Sequence, residues 1–297
     1  MTRFNKTYCS PAQLVQVLKS RGLDISDEDR AERYLNNIGY YRLSAYMYPF
    51  LKEPKTDHQF KDNVSFDRVL RLYRFDKKPR MLLFNEIEKI EIAFRQTVAN
   101  VTAQMSCNIF WMTDVASYSN PFKASKSISL ITNEYNKSRE DFIEHFKRTY
   151  TDPFPPAWIT SEILPLGNMT WLYSNLADQR IRKAIAKTFY LQAPVLDSWM
   201  TVITLTRNSC CHHARMWNKI NPIIPNDMKN MSRPWISPTT NKRRIYYNIC
   251  IIKYFLDIIS PNNDFKEKLI GLFELFPEID LRAMGFNANW EQEPLWK

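Results

Sequence analysis

The segment 207–215 (RNSCCHHAR) holds the side chains best suited to chemistry in this chain, including two of its four histidines. An imidazole changes protonation near neutral pH and can act as general base or acid. A guanidinium can grip a phosphate through two hydrogen bonds. Metal-independent RNA cleavage needs both capacities, because one group removes the 2′-hydroxyl proton while another stabilises charge at phosphorus. We therefore predict Arg207, Asn208 and His212 as catalytic residues.

The spacing of these residues on a helix restricts how they meet. At ~100° per residue, Arg207 and His212 lie about 140° apart, whereas Asn208 and His212 share a face and Arg215 follows three residues later. Arg207 must reach round the helix, the helix must deviate, or a second copy must complete the site. We favour completion by a homodimer, and we predict that His213 and Arg215 contact RNA.

Two other interpretations of this segment stay open. Cys210-Cys211-His212-His213 could suggest zinc, but neighbouring helical side chains point about 100° apart and no second ligand pair is evident. We therefore expect no metal and no cofactor. Arg207 and His212 could instead form a buried structural network or an inactive site that only holds RNA.

Helices must position these residues. Pro194 opens a helix in which Val195, Trp199, Val202 and Thr206 precede the segment. Only five glycines accompany 17 prolines, which disfavours β-sandwiches and glycine-rich phosphate-binding folds. The fold class is therefore predicted as all-α. The other predicted helices span about 10–22, 26–39, 66–104 with a break at Pro79, 128–149, 157–163, 168–176, 178–190, 241–259 and 264–276.

Loops divide this pattern into three segments. We predict an N-terminal helical segment at 1–64 and a helical core at 65–220, with an irregular insertion near 106–127. A proline-rich loop and C-terminal helices fill 221–297.

Charge and cysteine content point to an anionic partner and a reducing compartment. The net charge is +10, mostly from the first 220 residues, which fits a nucleic acid backbone or simply a soluble surface. No segment approaches the roughly 20 apolar residues that span a bilayer, so we expect no membrane association. Five cysteines without a CxxC pair favour a cytoplasmic location.

Two further groups of basic residues are candidate RNA contacts. Arg68, Arg71, Arg74 and Lys78 recur at helical spacing, which indicates either a solvated face or a contact with the RNA backbone. Lys242, Arg243 and Arg244 precede Tyr246 and Tyr247, a combination seen in single-strand binders and also in ordinary helix starts.

Other prominent side chains are assigned structural roles. Tyr40, Tyr41 and Tyr46 are predicted in the core. Glu91 and Arg95, four residues apart, are predicted to pair within one helix and support the site.

Several segments, taken in order over residues 10–220, resemble the Abi (abortive infection) proteins of the AbiD/AbiF type in the HEPN superfamily. They are 33–35 (RYL), 38–46 (IGYYRLSAY), 72–76 (LYRFD), 90–95 (IEIAFR), 156–158 (PAW), 166–167 (LG), 198–199 (SW) and 207–218 (RNSCCHHARMWN). The resemblance implies a HEPN-like helical bundle and an RNA-directed role in bacterial antiphage defence or as a toxin. It matches Arg207 and His212 to the motif's arginine and histidine and Asn208 to its polar second position. Cys211 departs from the family pattern, where a small alanine is more usual.

Three function classes follow. The first is a metal-independent endoribonuclease, and the second is a non-catalytic protein held by a structured non-coding RNA, as the resemblance also implies. The third, a protein-binding defence sensor, requires the basic surplus to be incidental.

Overall fold

The computed structural model describes residues 3, 7–228 and 230–297. The prediction of an all-α fold is confirmed, since this described part holds twelve α-helices, short 3-10 turns and three isolated β-bridges but no strand. Within the same residues, no helix has the length and apolar character needed to cross a bilayer. The helices are α1 (Pro11–Ser20), α2 (Glu28–Ile38), α3 (Tyr40–Met47), α4 (Phe66–Ser106), α5 (Pro121–Lys137), α6 (Asp141–Thr149), α7 (Ala157–Ile163), α8 (Leu166–Asn175), α9 (Gln179–Thr188), α10 (Ala193–Cys211), α11 (Ile245–Ile259) and α12 (Phe265–Glu274).

The chain forms two compact units, Met1–Pro79 with Leu275–Ile279 and Arg80–Glu274 with Asp280–Lys297. α4 continues through the boundary with Pro79 inside it, so the predicted break there is wrong. Proline removes only one hydrogen bond from the helical ladder, and buried side chains such as Phe75 and Leu83 anchor the helix before and after it. The predicted division at residues 64 and 220 stays a prediction.

The first unit combines α1, α2 and α3 with the beginning of α4. Ser10 caps α1 as predicted, because its hydroxyl accepts the Gln13 N–H in a capping box. The Tyr46 hydroxyl donates to the buried Asp76 carboxylate at 2.7 Å, which ties α3 to α4.

The second unit is organised around α10, which packs against α8, α9 and α11. Trp199 and Ile203 of α10 are buried in this core. The later part of α4 reaches the same core through Phe94, whose ring meets Tyr173 of α8 edge to face at 5.8 Å. The two helices that carry the predicted site residues, α4 and α10, therefore share one packed interior.

The segment before residue 140 differs from its prediction in two ways. α5 begins at Pro121 rather than at 128, because Asn120 accepts the Lys123 N–H and proline suits the first turn. The predicted helix 128–149 is also wrong as one element. α5 ends before Ser138, which has extended backbone angles, and α6 starts only at Asp141.

Candidate functional site

The predicted catalytic segment forms the C-terminal end of α10. His212 is the C-cap, and its N–H donates to the Asn208 carbonyl at 2.9 Å. His213 follows in the left-handed region at φ 54°, and its N–H donates to Cys210 at 3.1 Å. The Ala214 N–H closes the turn on Ser209 at 2.9 Å, which completes a Schellman motif. The adjacent histidines therefore end the helix, with His213 in a position that glycine usually occupies.

Asn208 and His212 both present exposed side chains at this helix end. Neither is sealed in the interior, and within the described residues the His212 imidazole makes no hydrogen bond or ion pair. These side chains are accessible to a ligand as large as RNA.

Arg207 lies on another side of α10 and is held by α4. Its side chain is 34% exposed, and its Nε lies 3.7 Å from Glu91 Oε2. Its guanidinium carbon is 5.9 Å from the centre of the Phe84 ring. In the described part of the chain its nitrogens have no hydrogen-bond partner. The guanidinium is thus steadied by charge and packing; its Nε is buried, and its terminal nitrogens stay available to a ligand.

Glu91 serves two arginines. Its other carboxylate oxygen pairs with Arg95 at 2.5 Å, which confirms the predicted pair within α4. Arg95 is mostly buried and also donates to the Ser161 and Leu164 carbonyls of α7 and its C-cap. The sequence pointed to Glu91 and Arg95 through their helical spacing, but no local signal linked Glu91 to Arg207.

The structure does not join Arg207 directly to His212. Among the described residues, no hydrogen bond or ion pair connects their side chains. The departure from helical geometry begins only at His212, which has φ −87° and ψ 12°. No direct contact between Arg207 and His212 therefore supports a site that is completed within one chain.

Arg68, Arg71, Arg74 and Lys78 are all exposed on the first part of α4. Arg71 is already engaged, because it pairs with Glu278, donates to the Leu275 carbonyl at 2.8 Å and lies over the Phe276 ring. Arg68 lies over the Phe50 ring at 5.0 Å.

α2 adds basic residues that sequence reasoning missed. The ring centre of Tyr34 lies 5.7 Å from the Arg30 guanidinium carbon and 5.8 Å from that of Arg74, and its hydroxyl accepts from Arg74 at 2.6 Å. Arg30 also pairs with Asp67 at 2.7 Å. Arg33 is exposed, has no ion pair within the described residues, and lines a shallow concavity with Arg30, Tyr34 and Asn37. The spacing of Arg30, Arg33 and Asn37 along α2 was the available signal.

The basic residues before α11 are largely occupied by internal contacts. Lys242 pairs with Asp227, and Arg244 donates to Asn218 Oδ1 at 3.0 Å and to the Ala283 carbonyl at 3.3 Å. Only Arg243 is exposed.

The tyrosines beside this basic group are not stacking surfaces. Tyr246 and Tyr247 are buried, and burial raises the pKa of both phenols well above its ordinary value. Of the two interpretations of this segment, the ordinary helix start fits the structure, because α11 is apolar on nearly every side and packs inside the second unit. The core prediction for Tyr41 is wrong, since that ring is 92% exposed, whereas Tyr46 is buried as predicted.

No group of three or more His, Cys, Asp or Glu side chains within residues 3, 7–228 and 230–297 is arranged to hold a metal ion. Cys210 is buried, Cys211 is half-buried and both are free thiols.

The model of the Abi-like protein family matches residues 33–218, which is more than half of the chain and runs from the middle of α2 to beyond α10, with the whole predicted catalytic segment. No curated protein and no solved structure shows significant similarity to this chain. The family description suggests a role in abortive infection, a form of phage defence. The chain belongs to the Abi-like protein family.

Proposed function

We propose that this protein belongs to the HEPN superfamily, is of the AbiD/AbiF type, and cleaves RNA without a metal ion in bacterial antiphage defence. The observation that carries this proposal is the end of α10. Asn208 and His212 are exposed there, and Glu91 steadies Arg207, whose terminal guanidinium nitrogens make no hydrogen bond within the described residues. An imidazole and a guanidinium that are both accessible are the two groups that the reaction requires.

In the proposed reaction, His212 accepts the 2′-hydroxyl proton and the 2′-oxygen attacks the neighbouring phosphorus. A 2′-oxygen–phosphorus bond forms, the bond to the 5′-oxygen breaks, and the leaving oxygen takes a proton from solvent. The products are a 2′,3′-cyclic phosphate and a 5′-hydroxyl end. Arg207 holds the phosphate oxygens as charge develops, and Asn208 orients the reacting groups.

We also propose a homodimer, which would bring a second α10 end to complete the site. Met81, Phe84 and Ile92 are exposed apolar side chains at helical spacing on α4. Phe84 is the residue that packs on Arg207. An apolar patch beside a functional group is typical of a contact surface, and a second copy would cover it through the same patch.

The cleavage assay uses purified protein, mixed cellular RNA and EDTA. We expect wild-type protein to cut RNA, and Arg207→Ala and His212→Ala to reduce the rate by about 10²–10⁴-fold, the usual contribution of a general base or acid. His145→Ala is the matched control, because His145 is an exposed histidine on α6. If the wild type does not cleave while RNA still co-purifies, the catalytic proposal fails.

The dimer is tested by light scattering coupled to size exclusion. Phe84→Glu should give monomers and lose cleavage, while Phe122→Glu changes a more exposed phenylalanine on α5 and should leave the mass unchanged. A wild-type protein that is monomeric at assay concentrations and still cleaves RNA would contradict the dimer.

A second function is favoured by the surface of α2 around Tyr34, where Arg33 is exposed and has no ion pair among the described residues. This arrangement suits a protein that holds a structured non-coding RNA, because an exposed arginine without an ion pair can contact a phosphate. RNA that co-purifies, absorbs at 260 nm and is released by high salt would support it. Its absence would favour the protein-binding sensor.

We further propose a cytoplasmic location, where the RNA partner would be found. All five cysteines are free thiols, as a reducing compartment would keep them.

A further inference from the structure

A pocket of about 160 Å³ lies against the C-terminal part of α10 in the second unit. The α10 residues that line it include Leu205, Thr206 and Ser209, which share one face of the helix, whereas Arg207 faces α4 on another side. Arg215, which follows the histidine turn, also lines the pocket.

The apolar part of the lining comes from Val202, Leu205, Met216, Pro222, Ile223 and Ile245. Sites for drug-sized ligands enclose roughly 300–1,000 Å³, so this pocket fits only a small group. A single planar ring system suits its size, whereas a folded peptide segment does not.

A chain of hydrogen bonds forms the polar part of the pocket. The Asn221 amide donates to Asn248 Oδ1 at 3.3 Å, Asn248 donates to the Thr206 hydroxyl at 2.9 Å, and Thr206 donates to the Val202 carbonyl at 2.8 Å. Asn221 Oδ1 accepts no hydrogen bond from the described residues. Asn221 therefore offers one acceptor and one further N–H, the pair with which an amide recognises the edge of a base.

Lys219 and Ser209 add two more available groups. Both are half-buried, and within the described residues their side-chain ammonium and hydroxyl have no hydrogen bond or ion pair. The Lys219 ammonium can pair with an anion, and the Asn221 amide can hydrogen-bond to the edge of a ring in the apolar pocket. Together they suit a flat heterocycle that is attached to an anion.

We propose that this pocket binds one unstacked nucleobase of the RNA. The apolar side chains contact the ring, Asn221 recognises its edge, and Lys219 contacts an adjacent phosphate. The pocket would thereby give the protein a base preference at one position of the bound RNA. This inference rests on the proposed RNA function, because it assigns one base of that RNA to the pocket.

The test uses the full chain and the four nucleoside monophosphates, AMP, GMP, CMP and UMP, at millimolar concentration. Saturation transfer from protein to the base protons is measured by NMR. We expect transfer to at least one of the four bases, and its displacement by short single-stranded RNA. Leu205→Trp, which fills the pocket, should abolish the transfer. Asn221→Leu, which removes the amide, should lower the affinity about tenfold or more.

Asn133→Leu is the matched control, because Asn133 is an exposed asparagine on α5 outside the pocket. Thermal unfolding of each variant checks that a loss of binding is not a loss of folding. Equal transfer in wild type and Leu205→Trp, or no transfer to any base, would overturn the inference. Binding that short RNA does not displace would also overturn it, since the occupant would then be a free nucleotide.

These outcomes are separate from those of the cleavage assay. Base binding without cleavage would leave the subsite intact and remove only the catalytic proposal. If Asn221→Leu cleaved RNA with the wild-type base preference, the subsite would be contradicted and the catalytic proposal would remain.

Discussion

The end of α10 and the start of α11 both carry conspicuous basic residues, but they use them differently. At the end of α10, Arg207 is held at 3.7 Å by a carboxylate that it shares with Arg95, and its terminal nitrogens make no hydrogen bond within the described residues. At the start of α11, Lys242 pairs with Asp227, and Arg244 donates to a side-chain oxygen and a backbone carbonyl. Positive charge in a sequence therefore indicates a binding surface only where the donors are not already engaged.

The sharpest test of this contrast is Arg207→Lys. Lysine keeps the charge but cannot make two parallel hydrogen bonds to a phosphate, so we expect RNA cleavage to fall about 10²-fold. The unfolding free energy should change little, because the side chain is partly exposed. Arg243→Lys, the matched exposed position, should leave cleavage near the wild-type rate, and an equal loss in both would contradict the contrast.

Arg244→Ala should act on stability instead. It removes charged donors from Asn218 and from the Ala283 carbonyl, a loss that typically costs about 1.5–3 kcal/mol in unfolding free energy. Urea denaturation measures this change. Arg243→Ala is the control, because Arg243 is the preceding residue and is exposed. It should leave the urea midpoint unchanged but weaken RNA binding. An Arg244→Ala protein as stable as the wild type would show that the internal contacts contribute little to the unfolding free energy.

The same contrast applies within the first unit, between Arg33 and Arg71. Arg33 has no ion pair within the described residues, whereas Arg71 is bound to Glu278. Arg33→Ala should lower the slope of RNA affinity against salt concentration by about one, as the loss of one phosphate contact does. Arg71→Ala should leave that slope nearly unchanged, so equal slopes for the two variants would break the comparison.

The smallest expected effect concerns the histidine turn. Because His213 has φ 54°, His213→Gly should be more stable than His213→Ala by about 1 kcal/mol. At Cys211, still inside α10, the order should reverse, since glycine weakens a helix relative to alanine by about 1 kcal/mol. Thermal unfolding of the four variants decides this, and the same order at both positions would argue against the left-handed conformation.

Much of the helical pattern was predictable because its signals are local. α7 has the predicted bounds, and α1 is capped by Ser10 as expected, since prolines and capping residues act within one turn. The start of α5 was missed although Asn120 and Pro121 supply the same kind of signal. The surrounding lysines and serines had suggested a loop.

The surroundings of the candidate site were less predictable because they depend on tertiary packing. Tyr246 and Tyr247 follow three basic residues, yet α11 is buried, whereas Tyr41 is exposed. The ion pair between Glu91 and Arg95 could be predicted because they lie four residues apart on one helix. The contact between Glu91 and Arg207 joins residues that are far apart in the sequence, so residue spacing could not predict it.

Glu91 also sets the charge balance at the site. One carboxylate faces two guanidinium groups, those of Arg95 and Arg207, so this cluster of three side chains carries one excess positive charge. Burying an uncompensated charge is unfavourable, and an anion that approaches the exposed side of Arg207 would neutralise it. A phosphodiester carries one negative charge, so a single RNA phosphate would bring the cluster to electrical neutrality.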